Sequence, residues 1–199
     1  MPGYIEYQDV KAGGSVQLRN APFGLSGLTG FQTSSSYITA TEEGFGNFHR
    51  TKLVLNALPI TVGNTTGISF GNVLLGTFPI GRILVRETVV KDVLYGLTND
   101  GNATPIDGAD GGDFALGTTG TSDSTLNSTD VNILASTSYD PFSTAVSAIG
   151  IINAAFDGRS TATALYFNAI VDDADVADTA SDVLEINGTI WITWTNLEG

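Results

Sequence analysis

From Thr51 onward the chain runs in short stretches of β-branched, aromatic and leucine residues, cut by Gly, Asn, Asp or Pro at intervals of roughly ten residues. This punctuation constrains the fold more than any other feature. It shows no repeated alternation of strand and helix patterns and no internal repeat, which argues against a parallel sheet with crossover helices. Leu53, Leu55 and Ala57 alternate with Lys52, Val54 and Asn56, and Pro59 marks an edge or bend before Ile60-Thr61-Val62. Gly63 to Gly67 predicts a hairpin turn into Ile68-Ser69-Phe70. Val73 to Phe78 and Ile83 to Leu97 predict further strands, separated by Pro79-Ile80-Gly81.

In the second half, Asp130 to Ala135 and Ala145 to Ala155 read as core segments; the second is alanine-rich enough for a short helix, but its context favours a strand. After a turn at Phe156-Asp157-Gly158, Thr161, Thr163, Leu165, Phe167, Ala169 and Val171 share one face of a strand. Asn187-Gly188 predicts a second hairpin, whose return strand puts Ile190, Ile192 and Trp194 on one face. The expected fold is all-β: an antiparallel β-sandwich, jelly-roll-like, over residues 51–199, preceded by an extended arm over 1–50.

The arm scatters Tyr4, Tyr7, Phe23, Phe31, Tyr37, Phe45 and Phe48 among Gly and Ser without a sustained period. Such a segment cannot build its own core, and its aromatics are costly to leave in water, so they dock on the body or on a neighbouring subunit. Tyr4, Ile5, Tyr7, Phe23, Leu25 and Phe31 are the expected partner contacts of a wrapping arm. Residues 99–130, dominated by Gly, Asp, Thr, Ser and Asn around one apolar island at Phe114-Ala115-Leu116, read as a long surface excursion.

Composition narrows the function. Only 15% of residues are charged, so much of the surface is neutral or covered by partners. There is no cysteine, hence no disulfide framework, thiolate nucleophile or cysteine zinc site. A net charge of −13 repels nucleic acid, whose affinity for proteins comes from Lys and Arg displacing counterions. The charge is also uneven: of eight basic residues only Arg159 lies beyond residue 92, which reads either as a near-neutral half that contacts a partner beside an acidic half that faces solvent, or as a merely soluble surface. The N-terminus carries no secretory pattern, so the mature chain is expected to start there, and the longest near-apolar run, Ala148 to Phe156, is far short of the roughly 20 residues of a membrane helix.

Catalytic and ligand-binding signals are weak. His49 is the only histidine, which rules out a multi-histidine metal site within one chain. Gly24-Leu25-Ser26-Gly27-Leu28 lacks the final glycine of a nucleophile elbow, and there is no phosphate-binding glycine loop. Asp172, Asp173, Asp175 and Asp178, and also Asp107, Asp110 and Asp113, offer oxygen ligands without the spacing of a calcium-binding EF-hand, so they read as solvated acidic loops. The sequons at Asn64, Asn102, Asn127 and Asn187 follow from a composition rich in Asn, Ser and Thr. Trp191 and Trp194 sit three apart on a strand and point to opposite faces, against a two-ring sugar platform. No enzymatic activity, cofactor or metal is expected.

Two phrases, Leu58 to Gly71 with Phe78 to Val85, and Phe156-Asp157-Gly158 through Val171-Asp172-Asp173-Ala174-Asp175 to Trp194, resemble virion proteins of tailed bacteriophages, over roughly residues 51–199. The resemblance implies a capsid decoration or cement protein: a β-sandwich, often trimeric, made in the bacterial host cytoplasm and seated on the capsid exterior, where it bridges copies of the major capsid protein. It assigns no residue a role. The alternative is a carbohydrate- or receptor-binding β module on a virion fibre.

Overall fold

The computed structural model of the chain describes residues 30–64, 68–98, 111–139, 145–171 and 182–198. Their strands are β1 (Gln32–Thr33), β2 (Ile38–Phe45), β3 (Phe48–Asn64), β4 (Ser69–Thr77), β5 (Gly81–Thr98), β6 (Gly112–Gly117), β7 (Leu134–Tyr139), β8 (Val146–Gly158), β9 (Ala164–Val171) and β10 (Asp182–Asn196). All pairings are antiparallel, in the order β7-β6-β9-β4-β3-β10-β5-β8, with β1 on β4 and β2 on β3. The fold is therefore the expected all-β, sandwich-like one.

β3 holds the two layers together. Its first half pairs with β2, and its last residues, Gly63 and Asn64, pair with Phe70 and Ser69 of β4. One layer is thus β2-β3-β10-β5-β8 and the other β1, β4, β9, β6 and β7, with β3 passing from the first into the second. The far ends also meet: a Cβ built on Gly150 of β8 would touch Leu134 of β7 at 3.0 Å, so the sheet nearly closes into a barrel. Between the layers lie Leu53, Leu58, Ile60, Leu75, Phe78, Ile83, Phe114, Leu116, Phe167, Ile190, Ile192 and Trp194, all essentially excluded from solvent.

The Asn187-Gly188 hairpin is corrected by the structure. β10 runs straight through these residues, and its two neighbours adapt instead. On β3, Asn56 and Ala57 together face Asn187; on β5, Asp92 and Val93 together face Gly188. These are two β-bulges flanking one point of an unbulged strand. Ala57 and Asp92 take left-handed backbone angles, φ 49° and 54°, and Ala57 N–H donates to the Asn187 side-chain oxygen at 2.9 Å. Each bulge resets the phase, so the inward series runs Leu53, Leu55, Leu58, Ile60 on β3 and Val90, Val93 on β5, and Ala57 is not one of the inward positions. Gly188 itself has φ 155°, and a Cβ there would meet Val93 at 3.0–3.1 Å.

The surface excursion is corrected too. The island at 114–116 is the fully buried strand β6 between β7 and β9, with the Phe114 and Phe167 rings stacked 5.4 Å apart. The segment that follows it is pinned by one buried residue. Asn168 of β9 accepts from Thr121 N–H at 2.8 Å and donates to the carbonyls of Thr119 and Asp130 at 3.0 and 2.9 Å. Asn72 of β4 adds a bond to the Thr121 carbonyl. Sequence polarity marked a loop but could not reveal that its backbone groups are satisfied from the sheet beneath. Residues 99–110 lie outside the described residues.

Asn168→Ala should therefore cost about 2–3 kcal/mol, since a buried backbone amide and two carbonyls lose their partner together. Urea unfolding measures it, and amide exchange should quicken at Thr121 while the strands of the other layer keep their protection.

Candidate interaction surface

Among the expected arm contacts, Phe31 is described and lies in the chain's own core, 7% exposed, with its ring edge-on to Phe78 at 5.2 Å. Tyr4, Ile5, Tyr7, Phe23 and Leu25 lie outside the described residues. The expected boundary at residue 50 falls inside β3, whose hairpin with β2 belongs to the sandwich.

Phe31 belongs to a closed circuit. Phe78 is edge-on to Trp194 at 5.5 Å, and Trp194 stacks on His49 at 4.0 Å with the planes 7° apart. His49 Nδ1 lies 2.6 Å from Glu42 Oε1, and Glu42 Oε2 accepts the Phe31 backbone N–H at 2.9 Å. Trp194 Nε1–H donates to Thr51 Oγ1 at 2.9 Å. Burial by itself raises the Glu42 carboxyl, but the bonds from His49, Phe31 and Thr51 outweigh it and hold it below its ordinary value. The sole histidine thus fastens the described N-terminal end to the body.

The outer face of the β2-β3-β10-β5-β8 layer has a different character. Arg50 and Lys52 alternate with buried Thr51 and Leu53, while Arg82, Arg86 and Lys91 alternate with buried Ile83, Val85 and Val90. A further bulge at Arg86, which the register skips, resets the parity of β5, so that all five cations lie on this one face. The remaining described cation, Arg159, is held by Asp157 at 2.6–2.8 Å, which lowers the exposed Asp157 carboxyl to about 2 and raises Arg159. The strands of the other layer carry no Lys or Arg, and Asp113 is their one charged residue; Asp123 and Asp130 lie in the loop above them. Among the described strands, charge of both signs is thus gathered on one layer, where Glu43, Glu87, Asp157 and Glu185 accompany the cations.

Across the middle of this face runs a register row, Thr41-Lys52-Trp191-Val89-Ile149, formed by five adjacent strands. Ile149 is 69% exposed, Trp191 is half-buried, and Lys52 Nζ lies 5.6 Å from the Trp191 ring centre. Trp194, by contrast, is wholly inside. Thr41, Glu43, Arg50, Lys52 and Trp191 line an open depression of about 240 Å³ at the β2 side. Sequence reasoning placed the two tryptophans on opposite faces but missed Ile149 and the clustering of cations; the available signal was the parity of each cation against its buried neighbours. Of the acidic clusters, Asp107, Asp110 and residues 172–178 lie outside the described residues, and Asp113 accepts the Ser138 hydroxyl at 2.7 Å. No group of side chains able to hold a metal ion occurs among the described residues. Compared with protein-family models, curated proteins and solved structures, the chain matches none.

The circuit makes stability depend on pH. A carboxyl held below its unfolded value stabilises the fold fully above the ordinary carboxylate range, and that contribution is lost as pH falls through the lowered folded value. Glu42→Gln should cost about 1–3 kcal/mol at pH 7, and its deficit against the parent should shrink on acidification. Unfolding curves at a series of pH values test this; a deficit unchanged down to strongly acid pH would remove the carboxylate from the account.

Proposed function

We propose that the chain is a structural virion protein that docks on the outer surface of a tailed-phage head and cements neighbouring capsid subunits. The observation that carries this reading is the segregation of charge and apolar exposure. In a chain of net charge −13, five cations share one sheet face with exposed Ile149 and half-buried Val89 and Trp191, while the strands of the opposite layer are free of cations. A cement subunit needs a face that sheds water against a shell, and a net charge of −13 that keeps particles apart.

The work of such a protein is mechanical. Each docked subunit buries area on more than one capsid chain, so expansion of the shell must break those contacts, and binding free energy becomes shell stability by mass action. The β5-β8 half of the face, with Val89, Ile149, Arg86 and Lys91, is the docking patch. Residues ahead of Gly30, with Tyr4, Ile5, Tyr7, Phe23 and Leu25, extend the contact along the shell, and a trimer of such subunits spans a capsid junction.

Ile149→Asp places a charge where the shell must be met. It should leave solution stability within about 0.5 kcal/mol, because the residue is exposed, yet weaken binding to purified undecorated heads at least about tenfold. Arg86→Glu with Lys91→Glu should slow association and reverse its salt dependence. Occupancy measured by sedimentation of the heads decides; parental occupancy by both variants would count against this face.

A further inference from the structure

We propose that the depression at the β2 side of this face binds a carboxylate-bearing pyranose, a sugar of the uronic or sialic acid kind. The site is separate from the docking patch, lying across β2, β3 and β10 rather than β5 and β8.

Its lining is set by register. Thr41 faces Lys52, and Lys52 faces Trp191; Glu43 faces Arg50. Thr41, Glu43, Arg50, Lys52 and Trp191 therefore rise from three neighbouring strands, on the same side, around a hollow of about 240 Å³. That is below the 300 Å³ or so at which drug-sized pockets begin, so it suits one ring and not an extended chain.

The lining sets two cations and one carboxylate beside an aromatic wall. Acids outnumber bases 21 to 8 in this chain, and Arg50 lies directly opposite Glu43, yet neither Arg50 nor Lys52 makes an ion pair among the described residues. Lys52 instead leans over the Trp191 ring. Arg50 presents a planar fork that matches a carboxylate with two parallel bonds. The Trp191 ring offers a π face to the polarised C–H bonds of a pyranose, and the single aromatic fits a single ring. Thr41 and Glu43 donate to and accept from sugar hydroxyls, which a simple anion would leave unused.

Backbone amide spectra of the full chain, recorded during titration with D-glucuronic acid and with N-acetylneuraminic acid, test this. Saturable shifts at Thr41, Glu43, Arg50 and Lys52 are expected in the millimolar range with at least one of the two, and glucose should produce none. Arg50→Gln and Trp191→Ala should each weaken the response about tenfold. Because Arg50 is exposed, its variant folds even if the tryptophan variant does not. Absence of saturable shifts with both acidic sugars overturns the proposal. So does an equal response to acetate, which would mean an anion site only, or parental binding by Arg50→Gln.

Discussion

The sandwich depends on keeping one side of three very long strands turned inward while the sheet curves. β3, β5 and β10 run 17, 18 and 15 residues, and a slip of one residue would turn every side chain beyond it to the opposite face. The two bulges at Asn187-Gly188 supply the correction on β3 and β5 at the same level, leaving β10 regular between them. Holding Ala57 and Asp92 in left-handed geometry costs on the order of 1 kcal/mol each, with Asp the more tolerant residue. Asn187 offsets part of this by binding the Ala57 amide, and the return is the burial of Leu58, Ile60 and Val62 beyond the bulge.

This explains why the fold class was legible in the sequence and one of its strongest turn signals misled. Alternation in Leu53-Leu55, in Leu165-Phe167-Ala169-Val171 and in Ile190-Ile192-Trp194 is a local property, and it marked strands that exist. Asn-Gly reports that a left-handed or extended-glycine backbone is tolerated; whether the chain turns there or its neighbours bulge around it is decided by the partner strands. The loop after β6 failed for a related reason. Its polar composition is genuine, but the group that orders it, Asn168, sits 47 residues beyond the Thr121 amide it binds and looks like one polar residue on an otherwise apolar strand.

Among site residues the same divide holds. Phe31 was legible as an aromatic that must find cover, and the cover is Phe78 in its own chain. The clustering of cations on one face could not be recognised from charge totals, because charge is counted along the chain whereas a face is defined by parity across five strands. Once β3 and β5 are known to share a layer, the alternation of Arg50 and Lys52 with Thr51 and Leu53, and of Arg82 and Arg86 with Ile83 and Val85, fixes the face without further information.

β10 links the inner and outer stories. Its Trp194 closes the circuit that fastens the Phe31 segment, and its Trp191, on the other side of the same strand, forms the wall of the depression. β3 repeats the division, with His49 and Thr51 serving the circuit and Arg50 and Lys52 the face. A strand whose inward residues are fixed by stacked rings and hydrogen bonds is held in register, so its outward residues are presented at fixed spacing. The rigidity that tethers the described N-terminal end is thus the same rigidity that preorganises the surface, and a contact made there loses less conformational entropy than one made by a free loop.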